Sequence, residues 1–192
     1  SLYIGGIFTD WRGATLQGIA KIDAATGAID AVFSQATGFS SNVEVLLTDG
    51  ISLYVGGNFA TYRGASATGL AKIALDTGNL DSTFTQYPMF GFAFANLFSH
   101  LRVKSLLLDG SSLYVGGGFG FYRGTPTSGL IKINKTTGVL DNGFTKQAGF
   151  DVPINYQYES VMDIVKKGSS ILVGGAMTVY RGQLAHNLAK IN

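Results

Sequence analysis

Hydrophobic and polar residues alternate in short runs along the chain, and glycine-rich turns separate these runs. Leu2-Tyr3-Ile4-Gly5-Gly6 is the first of four similar segments, which begin at Leu2, Leu53, Leu113 and Ile171. Their starts lie 51, 60 and 58 residues apart. Side chains that alternate in this way line the two faces of a β-strand. The only stretch with a trace of helical period is 93–101, which predicts one or two turns at most. The pattern therefore predicts an all-β chain built from four copies of one unit.

Each copy keeps further residues at fixed distances from its start. An Arg-Gly pair lies ten residues after the start of each copy, and a lysine lies nineteen residues after it. In three copies a phenylalanine lies thirty-one residues after the start, with an aspartate three residues before the phenylalanine. The recurrent residues are Arg12, Arg63, Arg123 and Arg181; Lys21, Lys72, Lys132 and Lys190; Asp30, Asp81 and Asp141; Phe33, Phe84 and Phe144. A residue present in every copy is typical of a structural role. We therefore expect the arginines to bond loop carbonyls or a carboxylate and to stack on the preceding aromatic ring, and the aspartates to cap a tight turn.

The copies have repeat cores at 2–33, 43–84, 103–144 and 161–192. In the second core, four segments have strand character: a (43–48), b (52–59), c (69–74) and d (80–84). Asp49-Gly50 between a and b is a hairpin turn signal. The third core also holds all four segments, whereas the first holds b, c and d and the last holds a, b and c.

Four antiparallel strands that recur every 50 to 60 residues are typical of the blades of a β-propeller. A single four-stranded sheet cannot bury both of its faces, so the copies must stack side by side. We predict one β-propeller domain over residues 1–192, built from four repeats of four-stranded blades of which the first and last are incomplete. A β-solenoid is the alternative, although its repeats are usually shorter. Fourteen strands leave three arrangements open: a closed four-bladed ring, a piece of a larger propeller, or chains that complete one another.

Composition excludes several classes of protein. The 192 residues contain no cysteine, which excludes disulfides and thiolate metal sites. A net charge of +2 provides no basic surface for nucleic acid. Apolar runs stay far below the roughly 20 residues that span a bilayer, so we expect no membrane insertion. The chain begins at Ser1 with neither an initiator methionine nor a signal peptide, which predicts a processed or excised piece.

The connectors between d and the next a carry all the variation in length. Phe33 to Val43 is 10 residues, whereas the connectors 85–102 and 145–160 are longer and rich in aromatic residues. Loops on a rigid scaffold are common binding sites, and aromatic faces beside Asp or Asn suit sugar rings or a protein partner. An aromatic plug or an interface between chains is the alternative. The predicted ligand-binding residues are Tyr87, Phe90, Phe92, Phe94, Asp151, Asn155, Tyr156 and Tyr158.

Catalytic patterns are poor. The two histidines, His100 and His186, lie in unrelated contexts, and we expect neither a metal site nor a cofactor. Nucleophile elbows, phosphate loops and calcium-binding loops are missing from the sequence. A pair among the few acids outside the repeat positions could serve a glycosidase, but no spacing favours one. We therefore predict a protein that is not an enzyme.

The motifs resemble a known repeat. Leu-Tyr-Val-Gly-Gly-x-Phe-x-x-Tyr-Arg-Gly, then Gly-Leu-Ala-Lys-Ile, then Thr-Gly-x-Leu-Asp-x-x-Phe is similar to the delta-60-type bacterial β-propeller repeat. The resemblance covers nearly the whole chain outside the two long connectors. It implies a secreted or surface protein, such as a fibre or adhesin, and a homo-oligomer, with a trimer expected by analogy with fibre proteins.

These observations together predict an extracellular or cell-surface recognition module. It would bind a cell-surface glycan or protein through the rim that carries the b–c loops and the d–a connectors. The alternatives are a purely structural or oligomerisation scaffold and a glycan-processing enzyme.

Overall fold

A computed structural model describes residues 1–35, 37–85, 90–91, 101–147, 150–151 and 161–192. The chain divides into two compact units, Ser1–Pro88 and Met89–Asn192. Unit 1 contains copies 1 and 2 of the repeat, and unit 2 contains copies 3 and 4. The single domain expected over residues 1–192 stays a prediction, and each unit is described by itself.

Among its described residues, unit 1 has nine short strands and one helical turn. Its elements are β1 (Leu2–Gly5), β2 (Asp10–Trp11), β3 (Ala14–Thr15), β4 (Ile19–Ile22), β5 (Val43–Thr48), β6 (Ser52–Gly57), β7 (Thr61–Tyr62), β8 (Ala65–Ser66), β9 (Leu70–Ala74) and α1 (Ser82–Thr85).

Unit 2 is composed of the same kinds of element in a different order. Its elements are β10 (Phe90–Gly91), β11 (Arg102–Asp109), β12 (Ser112–Gly118), β13 (Phe121–Tyr122), β14 (Thr125–Pro126), β15 (Leu130–Asn134), α2 (Asn142–Gln147), β16 (Phe150–Asp151), β17 (Asp163–Lys167), β18 (Ser170–Gly174), β19 (Val179–Tyr180), β20 (Gln183–Leu184) and β21 (Leu188–Ile191).

The main sheet of copies 2, 3 and 4 is an antiparallel meander of segments a, b and c, with b in the centre. Copies 2, 3 and 4 form the three-stranded sheets β5-β6-β9, β11-β12-β15 and β17-β18-β21, and copy 1 forms the pair β1-β4. In copy 2, Leu53 pairs with Ile73 and Tyr54 pairs with Lys72. Because side chains alternate along a strand, Ile73 faces the core while Lys72 remains partly exposed. The predicted all-β class and the predicted a, b and c strands are confirmed.

Segment d is not the fourth strand that the sequence predicts. It contributes a single bridge to strand c, at Ile29, Leu80 and Leu140 in the first three copies. In copies 2 and 3 a helical turn, α1 or α2, follows directly. The aspartate after the bridge explains the change, because Asp81 Oδ1 accepts the backbone N–H of Phe84 and so caps the turn. The expected capping role of these aspartates is confirmed.

Neighbouring copies within a unit pack sheet against sheet. The core of unit 1 joins Ile19 and Phe33 of copy 1 to Leu53, Val55 and Ile73 of copy 2. The core of unit 2 is equivalent and joins Leu130 of copy 3 to Val161, Ile171 and Val173 of copy 4. Each copy thus covers the face that its neighbour could not bury alone.

In copies 1 and 3, the first glycine of the Gly-Gly pair, Gly5 or Gly116, lies where strand b meets strand a of the next copy. A Cβ at Gly116 would overlap the side chain of Val161 and lie 2.9 Å from Ile164 Cδ1, whereas at Gly174 the nearest atom is Asn187 O at 3.9 Å. We expect Gly116→Ala to lower the free energy of unfolding by about 1–3 kcal/mol through overpacking. Gly174→Ala is the matched control and should be neutral or slightly stabilising. Urea unfolding measures both, and equal effects would contradict this packing.

Candidate functional site

The structure describes two of the eight predicted ligand-binding residues. Phe90 and Asp151 lie in β10 and β16, and the other six, Tyr87, Phe92, Phe94, Asn155, Tyr156 and Tyr158, lie outside the described residues. Phe90 is 4% exposed and packs against Phe119 and Tyr122, with ring centroids 4.5 and 5.1 Å apart. Its ring is therefore part of the core of unit 2 and has little surface left for a ligand.

Phe90 belongs to a recurrent set that the sequence analysis missed. Phe39, Phe90 and Phe150 each pair with the tyrosine that precedes the Arg-Gly of the following copy. All three are buried, and Phe39 lies 4.5 Å from the ring of Tyr62. The available signal was spacing, because each follows the phenylalanine of segment d by six residues. Within the connectors between d and the next a, only the segment that follows Phe39, Phe90 or Phe150 differs in length between copies.

The variable segments begin and end on buried residues. Three residues separate Phe39 from Val43, whereas twelve separate Phe90 from Val103 and ten separate Phe150 from Val161. The valines are as well buried as the phenylalanines, with exposures of 6% or less. Both longer connectors are thus attached at equivalent points of the repeat, and they carry most of the predicted site residues.

The b–c loops form two-stranded hairpins with Arg-Gly at the corner. Arg63 and Gly64 both have positive φ, 48° and 80°, as a type I′ hairpin turn requires. Arginine rarely adopts this conformation, yet all four corner arginines have φ between 47° and 50°. The same turn conformation thus recurs in all four copies.

The hairpin connects two neighbouring copies. The Arg63 guanidinium donates to the carbonyl of Phe33 in the preceding copy at 2.6 Å and lies 5.0 Å from the centre of the Tyr62 ring. Tyr62 Oη donates to the carbonyl of Gly78 in its own c–d turn, and Tyr122 does the same to Gly138. The predicted bond from the arginine to a loop carbonyl is confirmed for Arg63 and for Arg12, whose guanidinium donates to the carbonyl of Thr26. The hairpin tyrosine therefore joins the b–c loop to the c–d turn of the same copy.

Burial and ion pairing account for the perturbed pKa values of the recurrent residues. Burial raises the pKa of the Tyr62 phenol to about 12. The lysines of segment c pair with the capping aspartates, Lys21 with Asp30 at 2.7 Å and Lys132 with Asp141 at 3.0 Å. The ammonium of Lys21 and the backbone N–H of Phe33 lower the pKa of Asp30 below 3.8. These groups stabilise the fold, and they do not form an acid–base pair.

Comparison with known proteins supports the repeat type. Residues 52–84 match the model of a family described as "Domain of unknown function (DUF5122) beta-propeller". The match covers strands b and c, the hairpin and segment d of copy 2, and the other copies share this pattern. The chain therefore carries a β-propeller type of repeat. Among curated proteins, none is similar enough to count as a relative.

Neither a metal centre nor a membrane span is found within the described ranges. No three His, Asp or Glu side chains there are grouped to hold a metal ion. No helix in this part of the chain has the length and apolar character needed to cross a bilayer.

The capping aspartates should make the fold sensitive to acid. The folded-state pKa values of Asp30 and Asp141 lie below 3.8, so the unfolded chain binds more protons as the pH falls through this range. Their stabilising contribution is complete above pH 3.8 and is lost as the pH drops through the folded-state values. We expect the double variant Asp30→Asn/Asp141→Asn to be less stable than the wild type at pH 7. The difference should shrink towards pH 2.5 in thermal melts, and a constant difference would contradict this assignment.

The hairpin tyrosines provide a matched pair of substitutions. Tyr122→Phe removes the hydrogen bond to Gly138 and should lower the free energy of unfolding by about 1 kcal/mol. The Tyr180 hydroxyl is buried and has no hydrogen-bond partner among the described residues. Tyr180→Phe should therefore be neutral or stabilising. Chemical denaturation of both variants tests this, and a larger loss for Tyr180→Phe would show that its hydroxyl is already paired.

Proposed function

We propose that the protein is a non-enzymatic recognition module that acts outside the cell or at a bacterial surface. It binds a cell-surface glycan or protein through the rim that carries the Arg-Gly hairpins and the two long d–a connectors. The resemblance to delta-60-type repeats supports a place in a surface fibre or adhesin, with several copies of the chain in one homo-oligomer, as in trimeric fibres.

The position of the inserted residues is the observation that carries this proposal. The segments that follow Phe90 and Phe150 are nine and seven residues longer than the segment that follows Phe39. The backbone on either side is held by buried residues of the repeat. Additional chain at two equivalent points of a packed scaffold is the usual arrangement of binding loops.

The composition of the connectors favours a glycan as the ligand. Phe92, Phe94, Tyr156 and Tyr158 supply aromatic faces, and Asn155 lies beside Tyr156 in the sequence. The apolar face of a sugar ring packs on such rings, while amide and carboxylate groups such as Asp151 bond its hydroxyls. Phe90 is excluded from this set because its ring is already buried. Each contact would be weak, and several copies on one fibre would raise the overall affinity.

A glycan array and a whole-cell binding assay test the proposal. The test variants are Phe92→Ser/Phe94→Ser and Tyr156→Ala, and both leave Phe90 and Phe150 in place to preserve the core. We expect each variant to unfold at the wild-type denaturant concentration and to lose about tenfold or more in binding. Phe90→Ser is the contrasting variant and should instead destabilise unit 2. Unchanged binding in both folded test variants would exclude the connectors as the contact surface.

A structural scaffold is the second candidate, and exposed apolar residues at the first and last copies favour it. Leu2 is 51% exposed although its counterparts Leu53 and Leu113 are 2% exposed or less. Leu188 is 60% exposed although its counterparts Leu70 and Leu130 are fully buried. If no ligand is found and Leu188→Ser changes the mass measured by light scattering, assembly is the better description of the function.

A further inference from the structure

The c–d turn of copy 3 contains a short motif that the proposed recognition function does not use. Asn134, Lys135 and Thr136 have the pattern Asn-x-Thr, in which x is not proline. This pattern is the acceptor motif for sugars attached to an asparagine side chain. Among the asparagines from Asn42 to Asn187, only Asn134 has serine or threonine two positions further on. A motif of three residues arises easily by chance, so the structure around it decides its meaning.

The motif lies at the surface of the folded chain. Strand β15 ends at Asn134, and a turn over residues 135–137 follows. Asn134 and Thr136 are both exposed. An attached sugar requires such a position, because it is bulky and hydrophilic. The two residues that define the motif therefore stand where a sugar can be carried.

The two ends of the Asn134 side-chain amide are used differently. Oδ1 accepts the backbone N–H groups of Thr136 and Thr137 at 2.9 and 3.0 Å, and the Thr137 hydroxyl at 3.2 Å. All described hydrogen bonds of this side chain thus go to Oδ1, which leaves Nδ2 without a partner among the described residues. Substitution at Nδ2 keeps the carbonyl in place, so the turn is compatible with a sugar on the nitrogen.

Capping of the turn explains the carbonyl oxygen but not the amide nitrogen. Asp23 occupies the position of Asn134 in copy 1. Its Oδ1 accepts the N–H groups of Ala25 and Thr26 and the hydroxyl of Thr26. In copy 2 the same position is Ala74. A carboxylate therefore suffices for this turn, and the fold gives no reason for an amide in copy 3.

The hydroxyl of Thr136 is equally unexplained by the repeat. The next position of the turn is a threonine in copies 1 to 3, and each of these hydroxyls accepts the backbone N–H two residues on: Thr26, Thr77 and Thr137. Thr136 does not recur, because copies 1 and 2 have alanine and aspartate at its position. The turn uses only its backbone N–H. Both residues that define the motif are thus positions where copy 3 departs from the repeat.

An exposed apolar side chain lies next to Asn134. The carbonyl of Val139 accepts the backbone N–H of Asn134 at 2.8 Å, and Val139 is 59% exposed. The counterparts of Val139 in copies 1 and 2 are the smaller Ala28 and the polar Asn79. A sugar on Asn134 lies beside this valine, and covering the valine removes apolar surface from water.

We propose that Nδ2 of Asn134 is the attachment site of an N-linked sugar. The donor is a sugar bonded through its anomeric carbon to a diphosphate carrier, and a glycosyltransferase presents it. Nδ2 attacks the anomeric carbon and forms the C–N bond. The C–O bond to the diphosphate breaks, the diphosphate departs with the electron pair, and one amide proton passes to a base of the transferase.

Mass spectrometry of the full chain, isolated from the cells that produce it, tests the proposal. We expect the intact mass to exceed that of the amino acids, and the peptide that contains Asn134 to carry the whole addition. An addition of single sugars indicates a nucleotide-linked donor. An oligosaccharide added as one block indicates a lipid-linked donor.

Four variants produced in the same cells separate the motif from the cap. Asn134→Asp removes Nδ2 but keeps the acceptor oxygen that Asp23 provides in copy 1, and Thr136→Ala removes the hydroxyl. We expect both to lose the addition and to keep the circular dichroism of the wild type. Thr136→Ser and Thr137→Ala should remain modified, although Thr137→Ala removes a hydrogen bond of the cap.

The proposal is wrong if the isolated chain has only the mass of its amino acids. It is also wrong if the addition persists in Asn134→Asp, because the sugar is then attached elsewhere, or in Thr136→Ala, because the transferase then does not read the motif. The site uses neither the Arg-Gly hairpins nor the long connectors, so it is independent of the proposed recognition function. Glycan-array binding of Asn134→Asp should therefore equal that of the wild type.

Discussion

The contact on which the repeat depends is the bonding of the Arg-Gly hairpin to backbone carbonyls. Arg63 reaches the carbonyl of Phe33 in the copy before it, and Tyr62 reaches Gly78 in its own c–d turn. These carbonyls belong to turns that make few ladder hydrogen bonds, and leaving them unpaired would be costly where they are buried. Each hairpin thus holds the end of the preceding copy and the c–d turn of its own copy. Three-stranded sheets that are too small to be stable alone can therefore pack in series.

Much of this architecture could be predicted from the sequence, because it depends on alternation and on exact recurrence. The strands of copy 2 and the structural role of Arg63 follow from patterns present four times. Segment d was mispredicted because Leu80 looks like the start of a strand, while the capping strength of Asp81 bends the next residues into a helical turn. Phe39 was overlooked because it falls in a stretch whose total length varies, although its distance from Phe33 does not.

The candidate site could be predicted less well than the fold, for a physical reason. Local alternation determines which face of a strand is buried, but a single aromatic residue in a connector can pack inward or face solvent with the same sequence around it. Phe90 is an example, because it is part of the core through its packing against Tyr122, which lies more than thirty residues away in the sequence.

The segment of variable length that follows Phe39, Phe90 and Phe150 has a consequence for how such proteins diversify. Lengthening a connecting segment from the three residues after Phe39 to the twelve residues after Phe90 costs only about 1.2 kcal/mol of closure entropy. Segments of three, twelve and ten residues stand there, and the flanking phenylalanine and valine are buried in all three cases. A gene that duplicates this unit thereby acquires a new variable position with each copy, in the way that antibody frameworks carry hypervariable loops. This segment of variable length is also the natural place to graft foreign peptides for display.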